Sequence, residues 1–294
     1  MSLLKIAHIS DLHFAKLTWN PCQFFSKRWL GNFNVALCRK HAFDPDALST
    51  LIPLFQQKQV QSVLITGDLS STSQASEFEM AQGFVRSLEQ EGLSVFAIPG
   101  NHDHYTKSAY KRQLFYDFFP SQPLREKRVS STYLGHNFWL ISLDTACATS
   151  LISSNGLFSE KIEQALTLAL QEIPQGHSVI LMNHFALFSH TGARKSLWRR
   201  QALQALLKKH PCIKLYLHGH THHHSVADLR ADDLPIILDS GSTSLEQGGS
   251  WNLIEISEKG CKIESFRRAA YALDVIWEPF ATHQFSWKSY ASLV

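Results

Sequence analysis

The sequence predicts an α/β fold. Short apolar runs alternate with amphipathic helical patterns along most of the chain, and towards the C-terminus the pattern turns to strands alone. Five of the apolar runs end in short polar segments rich in Asp, Asn and His.

The apolar runs fall at 6–9, 62–66, 94–98, 138–143, 178–182, 214–217, 236–238 and 251–256. Each is rich in Ile, Leu and Val and bounded by Gly, Asp, Asn or His, as buried strands are. Four helical faces lie between them. Asp44 is placed to cap the first, Pro45 follows in its first turn, and Leu48, Leu51, Ile52 and Phe55 share one side. Phe78, Ala81, Phe84, Val85 and Leu88 make the second, which stops near Gly92. Ser159 caps the third, built on Ile162, Ala165, Leu166, Ala169, Leu170 and Ile173. The fourth carries Leu203, Leu206 and Leu207 and ends in Lys208 and Lys209 before Pro211.

Composition sets outer bounds. The chain has 294 residues, a formal charge of +3, 44% apolar residues and 18% charged ones. Those values exclude a disordered or collagen-like chain. So small a charge does not argue for nucleic acid. No apolar run reaches the ~18 residues of a transmembrane helix, and the first residues read as a strand rather than a signal peptide. Five scattered cysteines without a Cys-x-x-Cys predict neither a disulfide framework nor a thiolate zinc site, so a cytoplasmic protein is expected. The organisation expected is one domain over 1–270, interrupted by an insertion at 15–43, followed by an aromatic tail at 271–294.

Histidine is over-represented, at 16 residues, and it clusters. Asp11-Leu12-His13, Gly67-Asp68-Leu69, Gly100-Asn101-His102-Asp103, Asn183-His184 and Gly219-His220-Thr221-His222 each follow a predicted strand. Ligands of open α/β sheets bind at the carboxyl ends of strands. Five such segments therefore point to one shared site. An Asp-x-His triplet is expected by chance about 0.6 times in such a chain, but a Gly-Asn-His-acid tetrad only about 0.002 times, so the tetrad carries the weight. Carboxylate and amide oxygens mixed with imidazoles suit Mn, Fe, Co or Zn better than Ca or Mg alone. Asp68 has two oxygens and can bridge two ions. Two metals about 3.5–4 Å apart can clamp an in-line phosphoryl displacement and ionise a water between them. No side-chain nucleophile is then required.

These five segments resemble the motifs of the calcineurin-like metallophosphoesterase family, over roughly residues 4 to 256. The resemblance implies a four-layer α/β/β/α sandwich of two mixed β-sheets flanked by helices, and a dinuclear centre of two divalent ions. Asp11, His13, Asp68 and His222 would hold the first ion. Asp68, Asn101, His184 and His220 would hold the second, with Asp68 shared. His102 matches a position that contacts the phosphate and protonates the leaving oxygen. The protein-phosphatase branch continues Gly-Asp-x-x-Asp-Arg-Gly, whereas this chain reads Gly67-Asp68-Leu69-Ser70-Ser71-Thr72. That departure favours the phosphodiesterase branches. The expected activity is hydrolysis of a phosphoric ester by a hydroxide bridging two metals, on a small phosphodiester or cyclic nucleotide. A lipid pyrophosphatase of the UDP-diacylglucosamine type is the alternative substrate class. A nuclease is disfavoured by the charge. A non-catalytic scaffold of the same fold would have lost ligands that this chain keeps.

Each residue also has a plainer reading. Asp11, Asp68 and Asn101, taken singly, read as caps or turn residues. His102 could orient Asn101 or a phosphate oxygen instead of moving a proton. Asp103 reads either as the partner that orients His102 or as a solvated turn residue. His8 reads as structural. His104, His190, His218, His223 and His224 belong to a polar neighbourhood of the site, some of them lining a cleft. Asp144 reads as a cap or a supporting residue, and Gly100 and Gly219 as tight-turn glycines. The insertion carries Lys16, Lys27, Arg28, Arg39 and Lys40 with no acid, interleaved with Trp19, Phe24, Phe25, Trp29 and Phe33. Such a segment can lie on an anionic membrane, cover an amphiphilic substrate, or pack its aromatics on the core. Arg194, Lys195, Arg199 and Arg200 read as a solvated helix face or as a phosphate or membrane contact.

Overall fold

Strand β1 (Leu4–Ile9) is the hinge of the architecture, because β2 (Ser62–Ile65) pairs with it in parallel on one side and a C-terminal strand pairs antiparallel on the other. A computed structural model describes residues 3–16, 42–148, 153–188, 194–269 and 274–287. In chain order the remaining strands are β3 (Ser94–Ala97), β4 (Val129–Gly135), β5 (Phe138–Leu143), β6 (Gly156–Leu157), β7 (Ser178–Met182), β8 (Leu197–Trp198), β9 (Ile213–His218), β10 (His224–Asp228), β11 (Ile236–Ser240), β12 (Ser250–Ile256), β13 (Gly260–Arg268) and β14 (Trp277–Ser286). The helices are α1 (Leu51–Lys58), α2 (Ala75–Gln90), the short α3 (Lys107–Arg112), α4 (Phe115–Phe118) and α5 (Gln122–Lys127), then α6 (Glu160–Gln171) and α7 (Arg200–Lys209).

Two six-stranded mixed sheets result, ordered β14-β13-β12-β1-β2-β3 and β10-β11-β9-β7-β5-β4. The strand period of two sorts the side chains of the second sheet onto two faces. Leu140, Ile180, Met182, Leu215, Leu217, Ile236 and Leu238 join the core shared with the first sheet. Their neighbours Ile141, Val179, Leu181, Tyr216 and Ile237 face the other way, under Ile162, Leu166 and Leu170 of α6 and Leu203, Leu206 and Leu207 of α7. Phe55 of α1 and Phe78, Ala81, Phe84, Val85 and Leu88 of α2 close the outer face of the first sheet. The layers are therefore helix, sheet, sheet, helix. Each fully buried Leu or Ile contributes about 1.5–3 kcal/mol relative to exposure.

All eight predicted strands and all four predicted helices form. Asp44 accepts a hydrogen bond from Ala47 N at 3.3 Å, and Ser159 accepts one from Ile162 N at 3.3 Å. The first helical face opens as a 3-10 turn, Pro45–Thr50, before α1. The strands without an apolar run are β4, β10, β13 and β14, together with the two-residue β6 and β8. Three of the longer ones (β4, β10 and β14) are sheet edges, where one side needs no apolar cover. Residues 277–286 of the aromatic tail form β14, whose Pro279 sits beside an irregularity in the pairing, as an edge proline does. Trp277 donates to Thr50 Oγ1 at 2.9 Å and Trp287 to the Ser257 carbonyl at 2.8 Å. Residues 17–41, which include most of the insertion, lie outside the described residues, as do His190 and Tyr290. Among the described residues no helix is long and apolar enough to cross a membrane.

Candidate metal centre

Parallel pairing makes β1, β2 and β3 end at one edge of the first sheet, and parallel β7 and β9 end at the matching edge of the second. The loops that leave those ends carry every predicted site residue. Backbone bonds tie the loops together: Asp11 N donates to Gly67 O at 3.0 Å, and His13 N to Asp68 O at 3.0 Å. His220 N donates to Asp11 Oδ2 at 2.9 Å, which joins the two sheets across the site.

The loops hold strained backbone. Asp11, His13, Asp68, His220 and His222 all have positive φ, between 48° and 70°. Non-glycine residues adopt that region at a cost and persist there only where their surroundings over-determine them, most often at functional sites. Five of the seven predicted donors share this signature.

The donor atoms meet. Two overlapping triads, Asp11–His13–His222 and Asp11–Asp68–His184, bring ligand atoms within 4.8 Å of one another. His13 Nε2 lies 3.2 Å from His222 Nε2. Asp11 Oδ1 is 3.1 Å from His222 Nε2 and 3.7 Å from His13 Nε2. Asp68 Oδ2 stands between His184 Nε2 at 3.5 Å and His13 Nε2 at 4.0 Å. Asn101 Oδ1 is 3.2 Å from His184 Nε2. The ring of His220 packs on that of His184 with centroids 5.1 Å apart. Donors about 2.0–2.2 Å from one ion stand roughly 3–4 Å from each other, so this spacing fits divalent ions. Asp11 Oδ1 is fully buried and accepts no hydrogen bond, an orphan that a cation would satisfy.

Hydrogen bonds to carbonyls decide the histidine tautomers. A carbonyl only accepts, so the ring nitrogen facing it carries the proton. His184 Nδ1 donates to Thr66 O at 2.7 Å, which leaves the Nε2 lone pair towards Asp68. His220 Nε2 donates to Lys195 O at 3.2 Å, which leaves Nδ1 as its donor atom. Such partners orient metal-binding imidazoles and raise their basicity. His102 is held in the same way. Its Nδ1 donates to Ser71 O at 2.7 Å, its backbone N donates to Asp68 Oδ1 at 2.7 Å, and Tyr105 stacks on its ring at 5.4 Å.

Without cations the charges lean on each other. Burial opposes ionisation of Asp68, but the His184 and His102 imidazoles hold its carboxyl well below the ordinary range. Burial likewise opposes ionisation of Asp11, and His222 overrides it. Burial works against protonation of His184, yet Asp68 pushes its pKa up to about 9. At His220 burial, reinforced by His184, pushes the pKa down to about 3.

Among the supporting residues, His8 and Asp144 keep the roles read from the sequence and Asp103 does not. Asp103 neither orients His102 nor meets solvent. It is fully buried and accepts from the backbone N of Leu69, Ser70 and Gly100 at 3.1, 2.7 and 2.9 Å, pinning the β2 loop to the β3 loop. Burial and the Asp68 charge push its pKa up to about 7, against those donors. Gly100 and Gly219 sit at turns as read, Gly219 O accepting from Thr221 N at 2.9 Å, but neither has positive φ, so backbone freedom is not what requires glycine there. They leave room: a Cβ on Gly100 would come within 2.2 Å of Asp68 Oδ1, and one on Gly219 within 2.3 Å of Asp11 Oδ2. His8 is structural, buried with Nε2 3.0 Å from Thr66 Oγ1. Asp144 accepts from Tyr116, Arg128 and the Ala146 N. Arg199 is taken up by Glu163 at 2.7 Å.

Other supports carried no signal in the strand-end reading. Ser242 and Ser244 both donate to the Asp11 carbonyl, at 2.7 and 3.0 Å. Thr221, between His220 and His222, donates to buried Asp239 at 2.5 Å. The run Gly241-Ser242-Thr243-Ser244 follows β11 at the same sheet edge, and that polarity after a buried strand was the available clue.

The model of the calcineurin-like phosphoesterase family matches residues 4–224, and the chain belongs to that family. It is a metal-dependent phosphoester hydrolase with divalent metal ions as its cofactors. A 3',5'-cyclic-nucleotide phosphodiesterase of Nostoc sp. is 24% identical over 236 residues, which are 76% of this chain and 82% of the relative. A dimetal phosphatase from Danio rerio superposes with a TM-score of 0.64 at 14% identity, covering 95% of this chain and 99% of that one. A purple acid phosphatase from yellow lupin (Lupinus luteus) seeds gives 0.65 at 13% identity, covering 97% of this chain and 54% of that one. At those identities the likeness to the two solved structures is one of fold.

Proposed function

We propose that the chain is a phosphodiesterase acting on a small phosphodiester of the cyclic-nucleotide kind, with Asp11, His13, Asp68 and His222 holding one divalent ion and Asp68, Asn101, His184 and His220 the other. The observation that carries this reading is the convergence of Asp11, His13, Asp68, His184 and His222, with the proton of His184 set by the Thr66 carbonyl and that of His220 by the Lys195 carbonyl. The mixed oxygen and imidazole donors suit Mn, Fe, Zn or Co. Two such ions, when bound, supply Lewis-acid charge for the phosphoryl oxygens and ionise a water as nucleophile. The protein's part is positional. Asp11 and Asp68 supply the fixed negative charge. His102, with Nδ1 committed to Ser71 O, presents Nε2 to the departing oxygen, and its imidazolium form gives up the Nε2 proton there, leaving the neutral ring. The relative that hydrolyses cyclic nucleotides supports this substrate class.

A lipid-linked pyrophosphate is the second reading. The described residues Lys16 and Phe43 flank the basic, aromatic insertion, and Phe43 lies against two of the donors. The Lys16 carbonyl accepts from Gln74, and the Phe43 ring packs at 4.5 Å on His13 and 5.6 Å on His222. An amphiphilic substrate or an anionic membrane surface would match that composition.

The test is a substrate panel with added manganese, spanning monoester, diester, cyclic nucleotide and lipid-linked pyrophosphate. The diester or cyclic nucleotide is expected to turn over fastest, and preference for the pyrophosphate would transfer the assignment to the second reading. No turnover of any member by fully metal-loaded protein would leave only a scaffold. His102→Ala should keep both metals and slow substrates with poor leaving groups most. An equal loss for good and poor leaving groups would remove the proton-donor role.

A further inference from the structure

Between α3, α5 and the start of α6 lies a cavity of about 450 Å³ that none of the seven donors lines. Lys111, Arg125, Arg128 and Lys161 line it against a single acid, Glu126. Arg128 is committed to buried Asp144, so it sets the floor and not the charge. It also donates to the Tyr110 hydroxyl at 3.1 Å and the Ala146 carbonyl at 2.9 Å. Because the Tyr110 oxygen accepts from Arg128, its own O–H is left to donate, and Tyr110 lines the cavity. Arg125 has Asp117 at 3.3 Å, but both are more than two-fifths exposed and screened by water. The excess charge of the wall is therefore positive. A concave wall of one sign concentrates anions, and the volume lies within the range of small-molecule sites, roughly 300–1,000 Å³.

We infer that this cavity is an anion site for a phosphate-bearing small molecule. The phosphate belongs either to a second acidic group on the substrate or to a free compound. Two hydrogen bonds link the cavity's lining to the metal centre. Thr145 lines the cavity and donates to Asn183 Oδ1 at 2.6 Å, and that same oxygen accepts from His184 N at 2.9 Å. Occupancy of the cavity thus abuts the loop that carries His184.

The experiment measures binding of inorganic phosphate and of adenosine monophosphate to the metal-loaded protein by titration calorimetry, independently of turnover. Two classes of site are expected, one at the metals and one in the cavity. The double variant Lys111→Glu, Lys161→Glu reverses two exposed charges and gives up one surface bond, from Lys161 Nζ to the Glu126 carbonyl at 3.3 Å. It should weaken one class at least tenfold while metal content and turnover of a small chromogenic diester stay at wild-type values. Asp68→Ala should do the opposite, losing the metal-site class and keeping the cavity class. A single class in the wild-type protein, or two classes untouched by the double variant, would overturn the proposal, whatever the substrate panel shows. Kinetics then assign the source. If the double variant raises KM only for a diester that bears an additional phosphate, the group is the substrate's. If phosphate added in trans alters turnover of the plain diester and the double variant abolishes that response, the ligand is a free effector.

Discussion

Replacing Gly100 by alanine adds one methyl group in the tightest part of the site. The φ of Gly100 is not in the left-handed region, so the backbone itself accepts alanine. Space does not. The new Cβ would lie 2.2 Å from Asp68 Oδ1, 2.5 Å from Asp68 N and 2.8 Å from Asp68 Cγ, where ordinary contact begins near 3.4 Å. Asp68 and its loop must therefore retreat by about 1 Å. Overpacking of this kind costs about 1–3 kcal/mol. The retreat also breaks the bond from His102 N to Asp68 Oδ1, a charge-assisted hydrogen bond worth about 1.5–3 kcal/mol. Misplacing a reacting group by 1 Å costs on the order of 10²-fold in rate. Gly83→Ala is the matched control, because nothing lies within 4 Å of its Cβ. It should gain about 0.4–1 kcal/mol through the unfolded chain. Metal content by plasma emission, urea melting and kcat on a chromogenic diester read all three effects. Gly100→Ala protein with both metals and wild-type kcat would refute the reasoning that Asp68 is held by lack of room.

Three further outcomes are expected. Thr221→Val removes the bond to Asp239 and should weaken metal binding about 10–100-fold, as loss of a ligand's support does. Thr221→Ser should restore it, and chelator-competition titrations that cannot tell Val from Ser would deny Thr221 a positioning role. Asp144→Ala strands the Arg128 guanidinium in a largely buried place and should cost about 3–5 kcal/mol in urea melting, with metal content unchanged. The metal-stripped protein should lose thermal stability as pH rises. His184 is raised from 6.5 to about 9 beside Asp68, so its contribution is complete below 6.5 and disappears as pH climbs through 9. Metal-loaded protein should not follow that slope, because its His184 has already given up the proton. Parallel melting curves for the two forms across pH 6.5–9 would show that His184 carries no linked proton.

The class of fold was legible because periodicity is local. Ile180 and Met182 alternate with Val179 and Leu181, and that alternation places β7 between two apolar layers whatever surrounds it. The α2 face was legible for the same reason, down to the buried set Phe78, Ala81, Phe84, Val85 and Leu88. Edge strands were less so. β4 and β10 are held by one neighbour each and need few apolar residues.

The chemical identity of the donors and their arrival after strands are written in the chain, since each motif is a few contiguous residues. How those donors are held is not. The proton on His184 is set by a carbonyl 118 positions away, the proton on His220 by one 25 positions away, and Asp11 is braced by hydroxyls 231 and 233 positions further on. The left-handed backbone of Asp11, His13, Asp68, His220 and His222 likewise exists only because two sheets and their loops close on one another. Hydrogen bonds and steric room of that range follow from packing, and no local pattern of residues encodes them.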